Sequence, residues 1–247
     1  MTTIVKNDCK FLVSKSADDH VNSFWINCYA EWEQQTFEIF DKYLNKDNNF
    51  IDIGAWVGTT ALYASIKSNY VYAIEADPHA IIDFNTNVKL NSFNNITLCE
   101  QPISNELMIV YFGPYSSNEI WNRSISQIKK YTTNSLDICM QTTTFSQFID
   151  KYKIDRVSLI KIDIEGGEEN IICDVFDYVN TKNPKPSIYL SFHVSWWNDK
   201  DITRFSPVWK DKYAFCYHNL KLIEPDNIVN VITNDPFCSI LFTDMEF

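Results

Sequence analysis

Phe50-Ile51-Asp52-Ile53-Gly54-Ala55-Trp56-Val57-Gly58-Thr59-Thr60 is the stretch whose reading decides the fold. Phe50 to Ile53 is a short apolar run of the kind that forms a buried strand. Gly54 and Gly58 lack a Cβ, so the turn after that strand lets backbone approach a ligand closely. Gly58 to Lys67 then reads as a helix whose first turn offers free N–H groups and the positive end of a dipole. Tyr70 to Glu75 reads as the next strand. Glu75 stands twenty-one residues after Gly54, at that strand's end, where a carboxylate can accept two ribose hydroxyls. Strand, glycine turn, helix, strand and terminal acid describe a βαβ unit holding a nucleotide-like ligand. The alternative is an ordinary crossover with incidental glycines.

The same alternation continues on both sides. Glu31 to Asn45 predicts an amphipathic helix, with Trp32, Phe37, Phe40 and Leu44 near helical spacing. Pro78 to Asn91 predicts a helix with proline in its first turn. Ile96 to Gln101 and Val157 to Asp163 read as strands, Thr144 to Tyr152 and Glu165 to Val179 as helices. Ser187 to Trp196 reads as a strand with Ile188, Leu190, Phe192 and Val194 on one face. Tyr213 to Tyr217 and Ser239 to Thr243 read as a closing hairpin, joined by a segment too short for a helix layer. The expected fold is α/β: a Rossmann-like, doubly wound, mostly parallel seven-stranded sheet with an antiparallel edge hairpin and helices on both faces. Residues 1–30 are expected as an extension with short strands such as Lys10 to Val13, and 31–247 as a single domain. Residues 102–142 carry no clear period and suggest an excursion around Tyr115 to Tyr131.

Composition narrows the partners. Lys and Arg total 21 against 32 Asp and Glu, a net charge of −11, and Lys129-Lys130 is the lone adjacent basic pair. A face for a nucleic-acid backbone is therefore not expected, and a neutral or cationic acceptor fits better. None of the seven cysteines forms a C-x-x-C pair, which argues against zinc or redox chemistry. Met1 to Lys10 is charged and lacks an apolar core, so no signal peptide is expected. No run of ~18 apolar residues exists to span a membrane. A cytoplasmic protein is expected, of undetermined oligomeric state.

A dinucleotide fingerprint requires G-x-G-x-x-G. Here Ala55 follows Gly54, a single further glycine appears, and Asp52 precedes the turn by two residues. That pattern favours S-adenosylmethionine over NAD. Phe50 to Gly58 resembles the first motif of class I, Rossmann-like methyltransferases. Leu159-Ile160-Lys161-Ile162-Asp163-Ile164-Glu165-Gly166-Gly167-Glu168 resembles the L-I-K-I-D-x-E-G-x-E signature of the FkbM-like family within that class. Ala73 to Pro78, Asn91 to Ser104 and the Thr142 to Ile149 segment agree in order, so the resemblance spans roughly residues 32–197. It implies that Gly54, Ala55, Gly58 and Thr59 surround the methionine part of the cofactor, with Asp52 orienting the turn. It implies that Glu75 holds the ribose, that Ala76, Asp77, Gln101 and Ser104 border the adenine, and that Asp163 faces the amino group or the acceptor. Trp56-Val57 and Gln101-Pro102-Ile103-Ser104 depart from the family's usual residues.

Asp163 and Glu165 alternate on a strand end, so both carboxylates can face one side and bind Mg²⁺ or act as acid and base. Glu165 and Glu168 also read as ordinary first-turn acids of the next helix. His193 is a candidate base for an acceptor hydroxyl, against the alternative of a rim histidine held by a neighbour. Trp196 and Trp197 offer rings for stacking on an acceptor or for the core. His20, His79 and His218 read as structural or surface residues. The catalytic candidates are thus Asp163, His193 and Glu165, with no metal ligands assigned. The family resemblance implies O-methylation of a carbohydrate or other polyhydroxylated acceptor. An NAD-dependent oxidoreductase and a non-catalytic S-adenosylmethionine-binding module are the rivals.

Overall fold

Strands that are apolar on both faces must be covered on both faces, and that requirement sets the layers. The computed structural model describes residues 1–114, 126–129, 131–132, 135 and 137–247. The chain opens with an antiparallel hairpin, β1 (Thr2–Lys6) and β2 (Cys9–Val13), followed by the short α1 (Asp19–Ser23) and α2 (Gln34–Tyr43). β3 (Asn49–Ile53), α3 (Ala61–Lys67), β4 (Val71–Ile74), α4 (Pro78–Leu90) and β5 (Ile96–Cys99) alternate as expected. β6 (Ile109–Pro114), β7 (Ser126–Lys129) and β8 (Ile138–Gln141) form a separate antiparallel sheet, with β6 in the middle. The alternation resumes with α5 (Phe145–Tyr152), β9 (Val157–Ile162), α6 (Ile172–Asn180) and β10 (Ser187–Ser191). α7 (Ser206–Trp209), β11 (Phe215–His218), β12 (Lys221–Ile223), α8 (Ile228–Asn234) and β13 (Ser239–Thr243) complete the chain.

Among the described residues the main sheet has eight strands in the order β12-β11-β13-β10-β9-β3-β4-β5. The strands from β10 to β5 are parallel to one another. β13 inserts antiparallel between β10 and β11. The Rossmann-like α/β class therefore holds, and the edge differs from expectation in two ways. β11 and β13 pair antiparallel as expected, but an eighth strand, β12, joins the seven and forms the outermost hairpin with β11, turned by Asn219 and Leu220 in the left-handed region (φ 50° and 59°) rather than by glycine. The segment before β13, read as too short for a helix, contains α8, whose Ile228 and Ile232 are buried.

Side chains alternate across the central strands. Ile51, Ile53, Ile160 and Ile162 pack on one face with Phe148 of α5 and Phe176 of α6. Phe50 and Leu159 pack on the other with Phe37 and Phe40 of α2, Leu62 of α3 and Phe84 of α4. Phe11, Trp25 and Tyr29 from the first thirty residues belong to this second core. Lys6, also buried, donates its ammonium to the carbonyls of Tyr29, Ala30 and Trp32 at 3.2, 2.9 and 2.7 Å. These bonds pin the chain just before α2.

Three boundaries shift for identifiable reasons. Glu33 sits at φ 43°, so α2 begins at Gln34 and not at Glu31. Glu165 and Gly166 have φ 54° and 97°, so a loop precedes α6 where a helix from Glu165 was expected. β10 ends at Ser191, and Val194–Trp196 coil into a 3₁₀ turn, which places His193 after the strand rather than on it. Most of the expected Tyr115 to Tyr131 excursion lies outside the described residues. Among the described residues no helix is long and apolar enough to cross a membrane.

Candidate active site

From β3 the chain winds toward β5, and from β9 it winds toward β10, so the carboxyl ends of β3 and β9 flank a switch point where a crevice opens. Asp52 and Lys161 are register partners there. Lys161 is 2% exposed, and its Nζ lies 3.5 Å from Asp52 Oδ1, 3.4 Å from Asp163 Oδ2 and 3.4 Å from the Gly54 carbonyl. Burial alone would lower its pKa, but Asp163 and Asp52 raise it above the ordinary lysine value, so it stays charged. The other oxygen of Asp52 accepts from the Thr60 hydroxyl at 2.7 Å, which ties the glycine turn to the sheet.

The turn is tight. Gly54 has φ +87°, and a Cβ on it would stand 1.8 Å from the Asp163 carbonyl oxygen. Glu75, at the end of β4, is held by three backbone donors. The Trp56 N–H donates to Oε2 at 2.8 Å, and the N–H groups of Ala76 and Asp77 donate to Oε1 at 2.7 Å. Burial pushes its pKa up to about 7, although those three N–H groups favour the ionised form.

On the β9 side, Glu168 organises the loop. It is fully buried and accepts from Ile164 N–H at 3.2 Å, Gly166 N–H at 3.0 Å and Trp197 Nε1 at 3.0 Å. Its Oε1 also lies 2.8 Å from His193 Nδ1. The His193 ring is further fixed by stacking on Trp196, at 5.4 Å with planes 3° apart. Its Nε2 faces Asp163 Oδ1 at 3.7 Å and Glu165 Oε2 at 3.5 Å. Burial lowers the His193 pKa, yet the bond to Glu168 and the nearby carboxylates lift it to about 9. Burial and the charge of Asp163 push Glu165 up to about 8. Burial would also raise Asp163, but Lys161 and His193 outweigh it and hold Asp163 below the usual carboxylate range.

These elements enclose a cavity of about 350 Å³. Gly54, Thr59, Glu75, Ala76, Gln101, Asp163, Glu165 and His193 line it, so the structure brings these expected site residues together. Asp52, Ala55, Gly58, Asp77 and Ser104, also expected at the cofactor, are not in its lining. Asp77 caps α4 by accepting from His79 N–H at 2.8 Å. A Cβ on Gly58 would meet Leu62 at 3.1 Å and Phe84 at 3.3 Å, so its lack of a side chain serves packing. Ala55 and Ser104 are buried. The pair Trp196-Trp197 divides: Trp197 is core and bonds Glu168, while Trp196 backs His193.

Sequence reasoning gave no role to Lys161 and Glu33. Glu33 reaches the cavity from the start of α2, accepts from Thr36 Oγ1 at 2.9 Å, and has its pKa raised by burial and by Asp163. Near it Phe24 meets Trp32 and Trp56 edge-on, with centroids 5.3 and 5.1 Å apart. The signal for Lys161 was a lysine inside an otherwise apolar buried strand, which requires counter-charges.

A crystal structure of methyltransferase FkbM from Methylobacillus flagellatus is similar, with a TM-score of 0.49, 14% identity, and coverage of 92% of this chain and 56% of that one. SMU.1697c from Streptococcus mutans, solved in complex with SAH, gives 0.47 at 11% identity over 85% of this chain and 96% of its own. An uncharacterized protein of Methanocaldococcus jannaschii, MJ1452, is 37% identical over 60 residues, 24% of this chain and 23% of its own length. The chain thus spans about half of the Methylobacillus structure, and its match to the archaeal relative is shorter still. The Methyltransferase FkbM domain matches residues 52–207, more than half of the chain and the whole segment from the glycine turn to the His193 loop, and the chain belongs to that methyltransferase family.

Proposed function

We propose that the chain is an S-adenosylmethionine-dependent O-methyltransferase acting on a carbohydrate or another polyhydroxylated small molecule. One observation carries the reading: a single cavity has Glu75 on its β4 side and the Asp163, Glu165 and His193 group on its β9 and β10 side. Three backbone N–H groups fix Glu75, leaving lone pairs of its oxygens for paired hydroxyls, as in a ribose. Ile74, Pro102, Ile103 and Phe112 supply apolar wall nearby for a flat base. A volume of about 350 Å³ lies in the range typical of small-molecule sites.

The cofactor would supply an electrophilic methyl group on a cationic sulfur. The protein's share is positioning, exclusion of water and a place for the acceptor's proton. Asp163, kept ionised by Lys161, is the acceptor for that proton and gives the cavity a negative charge suited to a sulfonium. Glu168 fixes the His193 ring through Nδ1, so that Nε2 faces the two carboxylates. The carbohydrate assignment is supported by carboxylates beside Phe237, an exposed ring at the same cavity that meets His193 and Trp196 edge-on. The acidic lining disfavours a nucleic-acid or membrane-surface partner. Seven unpaired cysteines fit a reducing compartment such as the cytoplasm.

Calorimetry with S-adenosylmethionine, S-adenosylhomocysteine and NADH tests the cofactor. Binding of the first two is expected, and binding of NADH alone would replace this reading with an oxidoreductase. Transfer of labelled methyl from S-adenosylmethionine to a panel of sugars tests the acceptor. Cofactor binding with no transfer to any acceptor class would leave a non-catalytic binding module.

A further inference from the structure

Three donor atoms converge on the cavity wall without hydrogen-bonding one another. His193 Nε2 lies 3.7 Å from Asp163 Oδ1 and 3.5 Å from Glu165 Oε2, and one donor atom from each residue falls within 4.8 Å of the others. Both separations exceed the ~2.7–3.2 Å of an N–H···O hydrogen bond. They approach the spacing of ligands around a shared ion. At metal–ligand distances of about 2.1 Å, neighbouring ligands stand roughly 3.0 Å apart in an octahedron and roughly 3.4 Å apart in a tetrahedron.

Two of the ligands are anchored from behind and open in front. His193 engages Glu168 through Nδ1, which turns Nε2 toward the carboxylates. A carboxylate behind an imidazole is the usual second layer of a metal-bound histidine. Lys161 engages Oδ2 of Asp163, leaving Oδ1 facing His193. Glu165 Oε2 is a buried oxygen with no hydrogen-bond partner among the described residues. A buried carboxylate oxygen in that position is costly without a ligand. The three residues come from two separate loops, after β9 and after β10, so the convergence is not a run of neighbouring acids.

We propose that Asp163, Glu165 and His193 form a site for one divalent cation of the Mn²⁺ or Mg²⁺ class. Two hard carboxylate oxygens, one imidazole and no thiolate select such ions over soft ones. Three protein ligands leave coordination positions open to the cavity. Two adjacent hydroxyls of an acceptor would fill them as a chelate, and the ion would lower the pKa of the oxygen to be methylated, so that its proton could pass to water instead of Asp163 as the methyl leaves the sulfur. That role rests on the methyltransferase reading; cation binding does not.

The test uses the full chain, stripped with EDTA, dialysed and titrated with MnCl₂ while electron paramagnetic resonance counts the free ion. One bound equivalent per chain is expected, with pulsed-resonance coupling to an imidazole nitrogen. Glu165→Gln, which keeps the side-chain shape, and His193→Ala are each expected to weaken binding at least ~10-fold. The nitrogen coupling is expected to vanish in His193→Ala. Circular dichroism establishes that both variants are folded, and Asp163→Asn replaces either one that is not. No binding at millimolar Mn²⁺, or undiminished binding in the folded variants, overturns the site. S-adenosylhomocysteine binding is measured on the same sample. A chain that binds it but not Mn²⁺ defeats the cation site alone, and one that binds Mn²⁺ but not the nucleoside defeats the methyltransferase reading alone.

Discussion

Replacing Glu168 by alanine removes one carboxylate and strands four donors. Those donors are Ile164 N–H, Gly166 N–H, His193 Nδ1 and Trp197 Nε1, all within 3.2 Å of a fully buried side chain. Each buried donor left unpaired costs about 1–3 kcal/mol. The sum is not simply additive, because Ile164 and Gly166 are only half-buried and their N–H groups can turn to water. Trp197 and His193 have less recourse, and removing one partner of a buried charge pair costs about 3–5 kcal/mol. A loss of about 3–5 kcal/mol is therefore expected, a large share of a typical stability of roughly 5–15 kcal/mol. Glu168→Gln keeps the volume and one acceptor oxygen, so about half that loss is expected. Equilibrium urea unfolding followed by tryptophan fluorescence measures both. A loss below about 1 kcal/mol for the alanine variant, or equal losses for the two, would refute the view that Glu168 holds the loop through its acceptor oxygens.

Further outcomes follow from single groups. Burial lifts the pKa of Glu75 from 4.5 to about 7, and under the proposed function its ionised form is the one that would accept both ribose hydroxyls. S-adenosylhomocysteine affinity should therefore rise with pH up to about 7 and fall below it, by at most ~10-fold per pH unit; Glu75→Gln should bind weakly and flatten the profile, and a flat profile in the parent chain counts against the ribose role. Gly54→Ala forces a Cβ to within 1.8 Å of the Asp163 carbonyl at φ +87°, and a loss of about 4 kcal/mol or more is expected in urea unfolding. Gly167→Ala is the contrast, since φ is −78° there and the nearest atom is the flexible end of Ile164 at 3.0 Å; about 1 kcal/mol is expected, and equal effects would contradict the packing assigned to the turn. Lys161→Met leaves the buried Asp52 and the half-buried Asp163 without their cation, so a loss of about 3–5 kcal/mol is expected at pH 7.5. Part of it should return at pH 5, because unpaired buried carboxylates bind protons more tightly when folded than unfolded. A variant as stable as the parent at pH 7.5 would show the lysine to be replaceable by an apolar side chain.

The central part of the sheet could be read from the chain because its signals are local. A four-residue apolar run, two glycines and an acid at the next strand end need no knowledge of the rest of the fold. At the edge, β11 and its antiparallel pairing with β13 were legible, but β12 was not, since it is three residues long and its turn runs through Asn219 and Leu220, without the glycine that marks a hairpin. The position of β13 between β10 and β11 is a long-range pairing with no local signature. In the site, Glu75 and Asp163 were visible as acids at strand ends. Glu33 was hidden because the apolar period around Trp32, Phe37 and Phe40 continues a helix through it, whereas its left-handed backbone delays the start of α2 to Gln34. His193 was assigned to a strand because Phe192 and Val194 extend the alternation. Their N–H groups do continue bonding, to Cys238 and Pro236, but the chain coils immediately after and swings the imidazole over the β9 loop.

A site assembled from strand ends and two loops needs something to hold its parts in register, and buried charge does so here. Lys161 reaches the Gly54 carbonyl and Asp52 on one side and Asp163 on the other. Glu168 in turn joins the backbone after Asp163 to His193 and Trp197. A continuous line of ion pairs and hydrogen bonds therefore runs from the glycine turn on β3 to the loop after β10. Such buried pairs add little net stability over apolar packing, because desolvation offsets most of their attraction. Their geometric demands are strict, however: a shift of the turn by an ångström would leave a lysine or a carboxylate unpaired in the interior. The residues around Glu75 and those around His193 are thus held at a fixed separation across the cavity. A transfer between two bound molecules depends on that separation, since its rate falls steeply once the reacting atoms leave the attack distance.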